Sequence, residues 1–182
     1  MNALSIIIIV LATGLLTVLM LKTDLLKDES SCIGNKPYSL SKVQLALWSL
    51  VVFSCFVYLI GQDGFVFGKD FSINETALIL LGISGVTTVI GNTIDSSDVQ
   101  NPSVTARHQD DCSEGFWRDI LSDKNGISIH RYQNVIFTAI LLVAYIAFVT
   151  KEGKMPDWDG TVLTLMGISS AGYLGVKMNE NK

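Results

Sequence analysis

The sequence predicts an all-α polytopic membrane protein with five transmembrane helices. Four of them form an internally duplicated helical hairpin, a parallel repeat, and a short cytoplasmic amphipathic helix joins the copies. The composition carries the first part of this reading. Of 182 residues, 49% are hydrophobic and only 16% charged, and the mean hydropathy of +0.43 is that of a membrane chain rather than a soluble domain. The distribution of charge carries the second. Residues 4–21, 43–61, 76–94, 132–150 and 161–176 contain no Asp, Glu, Lys or Arg, and about 20 helical residues span the roughly 30 Å hydrocarbon core. The last stretch is short by that measure and must stand upright. The third observation is a repeat. Ser39-Leu40-Ser41-Lys42-Val43-Gln44 opens one apolar run and Ser128-Ile129-His130-Arg131-Tyr132-Gln133 another, and each is followed by a second run built on Leu81-Gly82-Ile83-Ser84 or Met166-Gly167-Ile168-Ser169. Self-similarity of this kind marks a duplicated supersecondary unit.

Taken in order, residues 1–22 form an N-terminal transmembrane helix. The segment lacks a basic leader and a small-residue cleavage site, so it reads as a retained span rather than a signal peptide. Residues 38–95 are the first hairpin and residues 127–178 the second, with a cytoplasmic loop, 96–126, between them. Both hairpins start on the same side, so the duplication is parallel, and an approximate twofold axis along the membrane normal is expected to relate them. Ser39 and Ser128 are placed to cap their helices, and Lys42 and Arg131 to extend toward phospholipid headgroups. Phe65, Phe67 and Phe71 in the first outer loop, and Trp158 in the second, are expected at headgroup level.

The inner loop divides in two. Residues 95–111 are rich in Ser, Asp, Asn and Gln and read as a solvated linker. After them, Phe116, Trp117, Ile120 and Leu121 share one helical face, and Asn125-Gly126 resembles a helix stop. An amphipathic helix lying on the membrane surface or on the end of the bundle follows. Phe116, Trp117, Arg118, Ile120 and Leu121 are the residues expected to meet a partner.

Lys22, Lys27, Lys36, Lys42, Arg107, Arg118, Lys124, Arg131, Lys177 and Lys182 fall on one side of the membrane, and only Lys69, Lys151 and Lys154 on the other. The positive-inside rule therefore places the N-terminus outside and the C-terminus in the cytoplasm. Cys32 and Cys112 then lie on the reducing side and Cys55 inside a span, so no disulfide is expected.

Several residues could carry function. Gln44 and Gln133 occupy equivalent places just inside the bilayer boundary, where an amide must find a partner. They suit either an interhelical hydrogen bond or a ring at a pore mouth. Ser84 and Ser169 either bond back to a carbonyl one turn earlier or line a pore. Gly167, Ala171 and Gly175, with Gly82 in the first copy, allow close helix approach within the chain or between subunits. No ionisable residue lies within the five spans, which argues against proton relays, voltage sensors and ion-coupled carriers. Nothing points to a catalytic pair, a metal, a cofactor or nucleic acid, so the chain is not expected to be an enzyme.

The line Gly115-Phe116-Trp117-Arg118-Asp119-Ile120-Leu121-Ser122-Asp123-Lys124-Asn125-Gly126-Ile127-Ser128-Ile129-His130-Arg131-Tyr132-Gln133, with the closing Leu165-Met166-Gly167-Ile168-Ser169-Ser170-Ala171-Gly172-Tyr173-Leu174-Gly175-Val176-Lys177, resembles a group of bacterial membrane proteins with duplicated helical hairpins. The resemblance spans residues 38–178. It implies paired hairpins in a bacterial inner membrane and carries no activity across. Phe137 departs from it, because that group has Trp there; Trp48 holds the equivalent place in the first copy. Two functions are expected on these grounds: a small homo-oligomeric channel or pore component of the kind a defence effector would use, or a membrane scaffold presenting its cytoplasmic loop to a protein partner. The lipid bilayer is the partner common to both.

Overall fold

A computed structural model describes residues 3–62, 73–105 and 107–181. Six helices, α1 (Ala3–Lys22), α2 (Leu40–Gln62), α3 (Glu75–Gln100), α4 (Phe116–Leu121), α5 (Ile129–Glu152) and α6 (Gly160–Lys177), account for nearly all regular structure; the rest is a two-stranded ribbon, β1 (Ser122–Asp123) and β2 (Gly126–Ile127), and short 3-10 turns. The fold is all-α, as composition and spacing predict. Among the described residues, α2, α3 and α5 are long and apolar enough to cross a membrane.

Local chemistry sets the helix ends. Asn74 caps α3 by accepting a hydrogen bond from the Ala77 amide at 3.1 Å, and Asp159 caps α6 through the Thr161 amide. Each satisfies an N–H that the first turn leaves without a partner. Gly153 ends α5 in the left-handed region, at φ 65°, where a side chain would be strained. Ser128 stands at the start of α5 without making the expected side-chain cap. The Ser39 hydroxyl lies 3.3 Å from that of Ser41.

The four longest inner helices close into a ring in which α2 packs on α3 and α5, and α6 on α3 and α5. The helices that the sequence repeat would equate, α2 with α5 and α3 with α6, are therefore neighbours. A twofold along the normal would have placed α2 and α5, and likewise α3 and α6, across diagonals, so that expected symmetry is not the one observed. α1 leans on α2 and on the turn at Asp24–Leu26; no described side chain in it is buried.

Two cores divide the bundle. Toward the 153–159 end, Val52, Cys55, Leu59, Ala77, Leu80, Val149, Leu163 and Met166 surround Trp48 and Tyr145. Trp158, half-buried, folds over this core. Its ring meets Tyr145 edge-on at 5.7 Å, and its amide donates to the Thr76 hydroxyl at 3.1 Å. Phe65, Phe67 and Phe71 fall outside the described residues. At the opposite end Leu26, Leu40, Val43, Ile120 and Tyr173 form a smaller cluster.

That second end is covered by a cap made from residues 23–39, 101–105, 107–128 and 178–181, and it differs from expectation in four ways. First, α3 continues to Gln100, so Asp95 and Asp98 belong to its last turns, and Asp95 is buried rather than part of a solvated linker. Second, α4 is only six residues long and its apolar face splits: Ile120 is 2% exposed and Trp117 67%. Docking Ile120 contributes about 2 kcal/mol. Third, Asn125-Gly126 does not stop a helix. It belongs to the turn of a hairpin in which Ser122 pairs with Ile127 and Asp123 with Gly126. Fourth, Cys32 and Cys112 form a disulfide, leaving only Cys55 free. Spacing could not foresee a pair separated by 80 residues.

Candidate functional site: the cap and the polar interior beneath it

The side chains beneath the cap come from every segment that meets there. Lys177, the last residue of α6, is 1% exposed. Its Nζ donates to Asp95 Oδ2 at 2.8 Å and lies 3.7 Å from Asp28 Oδ2. One ammonium thus holds α3 and the first loop against α6. Arg131, at the start of α5, is also buried; its Nη2 donates to Glu180 Oε2 at 2.9 Å, and its guanidinium covers the Tyr173 ring at 5.3 Å. It reaches the C-terminal tail, not the lipid headgroups expected for it. Lys42 likewise turns inward and donates to the Lys27 carbonyl at 2.7 Å.

Asn181 ties the tail down. Its Nδ2 donates to Asp98 Oδ2 at 2.8 Å and to Gln109 Oε1 at 3.1 Å, and its Oδ1 accepts from the His108 amide at 3.0 Å. Buried charges this well paired recover much of their desolvation cost, and removing one partner exposes that cost in full. Asp28 Oδ1, Asp95 Oδ1, Arg107 Nε and Gln109 Nε2 are buried without a protein partner. Acceptors and donors left together in one polar region are where buried water is held.

The polar interior continues from Lys177 toward mid-bundle. Gln44 Nε2 donates to Asn134 Oδ1 at 3.0 Å and to Thr138 Oγ1 at 2.6 Å. The Thr88 hydroxyl is 3.1 Å from the Ser41 carbonyl and 2.9 Å from that of Ser84. Beyond these, Ser84 Oγ, Ser169 Oγ, Trp48 Nε1 and Tyr145 OH are buried without partners. Ser84 and Ser169 are both buried in the interior, and neither hydroxyl bonds back along its helix.

The other sequence candidates fall elsewhere. Gln133 is exposed on the outer face of α5, so the two glutamines do not form a pair; Asn134, one residue on, meets Gln44. Gly82, Ala171 and Gly175 are exposed and Gly167 partly so. A methyl group at Gly82, Gly167 or Gly175 would touch nothing within 4 Å, so this stripe packs against no helix of its own chain. On α4, Arg118 pairs with Glu114 at 2.7 Å in the open. Phe116 and Leu121 are half-buried and pack, with Ile120, into the cluster under the cap.

Asp28, Asp95, Asn134, Thr138, Lys177 and Glu180 were not singled out by the sequence. A signal existed in helical spacing: positions 131, 134 and 138 in α5, and 84, 88, 91 and 95 in α3, each follow a three-or-four-residue period. Those stripes carry polar residues and a glycine, and a search for apolar faces passes over them.

On its outer surface the cap bears a cleft of about 440 Å³, lined among others by His108, Cys112, Glu114, Arg118, Asp123 and Lys124. Asp119 also borders it, but as a structural acceptor: its Oδ2 takes the Tyr38 amide at 3.1 Å and the Ser113 hydroxyl at 2.6 Å, and its Oδ1 the Glu114 amide at 3.0 Å. No three His, Cys, Asp or Glu side chains converge as metal ligands among the described residues. No family model, curated protein or solved structure matches the chain.

Proposed function

We propose that this chain is a five-span protein of the bacterial inner membrane, threaded by α1, α2, α3, α5 and α6, that serves as a rigid platform displaying its cap to a protein in the cytoplasm. Orientation follows the ten basic residues on the cap side against three on the other. The observation that carries the reading is preorganisation. Three chain segments are locked by the Lys177 and Arg131 ion pairs and the Asn181 bridges around a polar cleft, and Trp117 stands exposed beside residues that line it. A surface held in one shape avoids the entropy of ordering on binding, and an exposed Trp next to Arg118 has the composition of a binding hot spot.

The test is capture of cytoplasmic partners by the full chain in native membranes, with and without Trp117→Ala. Selective loss of captured proteins supports the platform. Unchanged capture removes it.

A channel is the second reading, favoured by the unpartnered Ser84, Ser169, Trp48 and Tyr145 atoms in the bundle. Its path would run inside one chain, with Gln44 at the entrance and Gln133 excluded. Flux through reconstituted protein that falls on Ser84→Leu and Ser169→Leu supports it; unchanged or absent flux counts against it. The exposed Gly167, Ala171 and Gly175 stripe supports a homo-oligomer in either case, tested by crosslinking through Ala171→Cys.

A further inference from the structure

We infer that Cys32–Cys112 is a reversible redox staple that sets the shape of the cap cleft. The proposal rests on the cytoplasmic orientation argued above, because a disulfide in a reducing compartment is a transient, sensing bond rather than a permanent one. Three features of the pair fit that role.

The first is access. Cys112 is exposed and Cys32 half-buried, so a small oxidant and a dithiol reductant can both reach the sulfurs. The second is polarity. The Gly34 amide donates to Cys32 Sγ at 3.1 Å, which stabilises an anionic sulfur, whereas Cys112 is flanked in sequence by Asp110, Asp111 and Glu114, which oppose one. Cys32 is therefore the reacting thiolate and Cys112 the resolving one. Cys32 attacks hydrogen peroxide and becomes a sulfenic acid, releasing hydroxide. The Cys112 sulfur then displaces the second hydroxide from Cys32, and the two thiol protons convert both hydroxides to water. A protein dithiol returns the pair to thiols by exchange, itself becoming a disulfide.

The third feature is consequence. Cys112 lines the cleft, and the bond joins the first loop to the segment that carries His108 and Glu114. Other links between these loops survive reduction: Arg107 to the Glu29 carbonyl at 3.0 Å, the Ser31 amide to Asp110 at 3.1 Å and the Ser113 amide to the Asn35 carbonyl at 2.8 Å. Opening the bond loosens the cleft wall and leaves the fold standing.

The experiment is acid quenching of intact cells followed by denaturing alkylation with a polymer-tagged maleimide. Unstressed cells should give a chain with all three cysteines tagged. A peroxide pulse should shift it to one tag, on Cys55, and recovery should restore three. A pair that stays oxidised, or stays reduced, through this cycle overturns the proposal, as does labelling of Cys112 by an impermeant maleimide in intact spheroplasts. In purified full-length protein, hydrogen exchange across residues 108–113 should be faster after reduction, and equally fast in Cys32→Ser and Cys112→Ser whatever the redox state. Identical exchange in both states of the wild type would show that the bond sets nothing. A pair that keeps one redox state through the peroxide cycle, in a chain whose partner capture is still lost on Trp117→Ala, would keep the platform while the switch falls.

Discussion

Lys177 shows how one side chain can hold several segments together. It is buried against two carboxylates, Asp95 and Asp28, so a neutral residue in its place leaves two anions without their cation. Lys177→Met should cost about 3–5 kcal/mol, read as a fall in the melting midpoint of the detergent-solubilised protein. The double variant Lys177→Met, Asp95→Leu should recover part of the loss, because it withdraws one stranded charge together with its partner. The two glutamines make a sharper contrast. Gln44→Leu strands Asn134 and Thr138 and should cost about 1–2 kcal/mol, near the upper end for hydrogen bonds between membrane helices. Gln133→Leu, on the exposed face, should fall within about 0.5 kcal/mol of the parent. The repeat suggested equal roles for the pair and could not show otherwise, since alignment fixes position along a helix but not its rotation. One residue is 100° of turn, and in α5 that turn delivers Asn134 to the interior instead.

The same limit operates on the elements. Asn125-Gly126 announces a backbone that leaves the right-handed region, and both a helix stop and a hairpin require that. What separates them is the neighbouring strand pairing, Ser122 with Ile127, which is too short to leave a period in the sequence. Gly126 sits at φ 105° and Asp123 Oδ1 accepts the Asn125 amide at 2.8 Å, so the turn is built locally. Gly126→Ala should cost roughly 1 kcal/mol or more, confined to the hairpin. Amide exchange at residues 122–127 should rise while the melting midpoint of the bundle stays in place; a midpoint that falls with it would mean the hairpin is integral to the bundle. The face shared by Phe116, Trp117, Ile120 and Leu121 was legible as amphipathic. That it would dock through Ile120 and leave Trp117 free depends on the groove between Leu40 and Tyr173, which belongs to other parts of the chain.

At the scale of the whole molecule, charge-free runs made the long helices readable because the cost of burying charge in lipid governs them one by one. The polar interior and the cap were not readable, because partners such as Arg131 and Glu180, Lys177 and Asp95, and Gln44 and Thr138 lie 49, 82 and 94 residues apart and no local period encodes such distances. The same distinction sets apart α1. Among the described residues, buried apolar side chains begin at Leu26, and the contacts of α1 are confined chiefly to α2 and the turn that follows it. Apolar grooves of about 360 and 320 Å³ run beside it, one against Leu45 and Ala46, the other against Cys55 and Val149. A helix seated this loosely adds little to the core. Removing residues 3–22 should therefore leave the ring of α2, α3, α5 and α6 folded, with the melting midpoint shifted by only a few degrees. In the proposed topology α2, α3, α5 and α6 still cross the membrane and the basic loops are untouched, so the cap should also stay on its side, read by protease protection in inverted vesicles. A truncated chain that fails to fold would place α1 inside the cooperative unit, and the division of this protein into a core bundle and an accessory span would be lost with it.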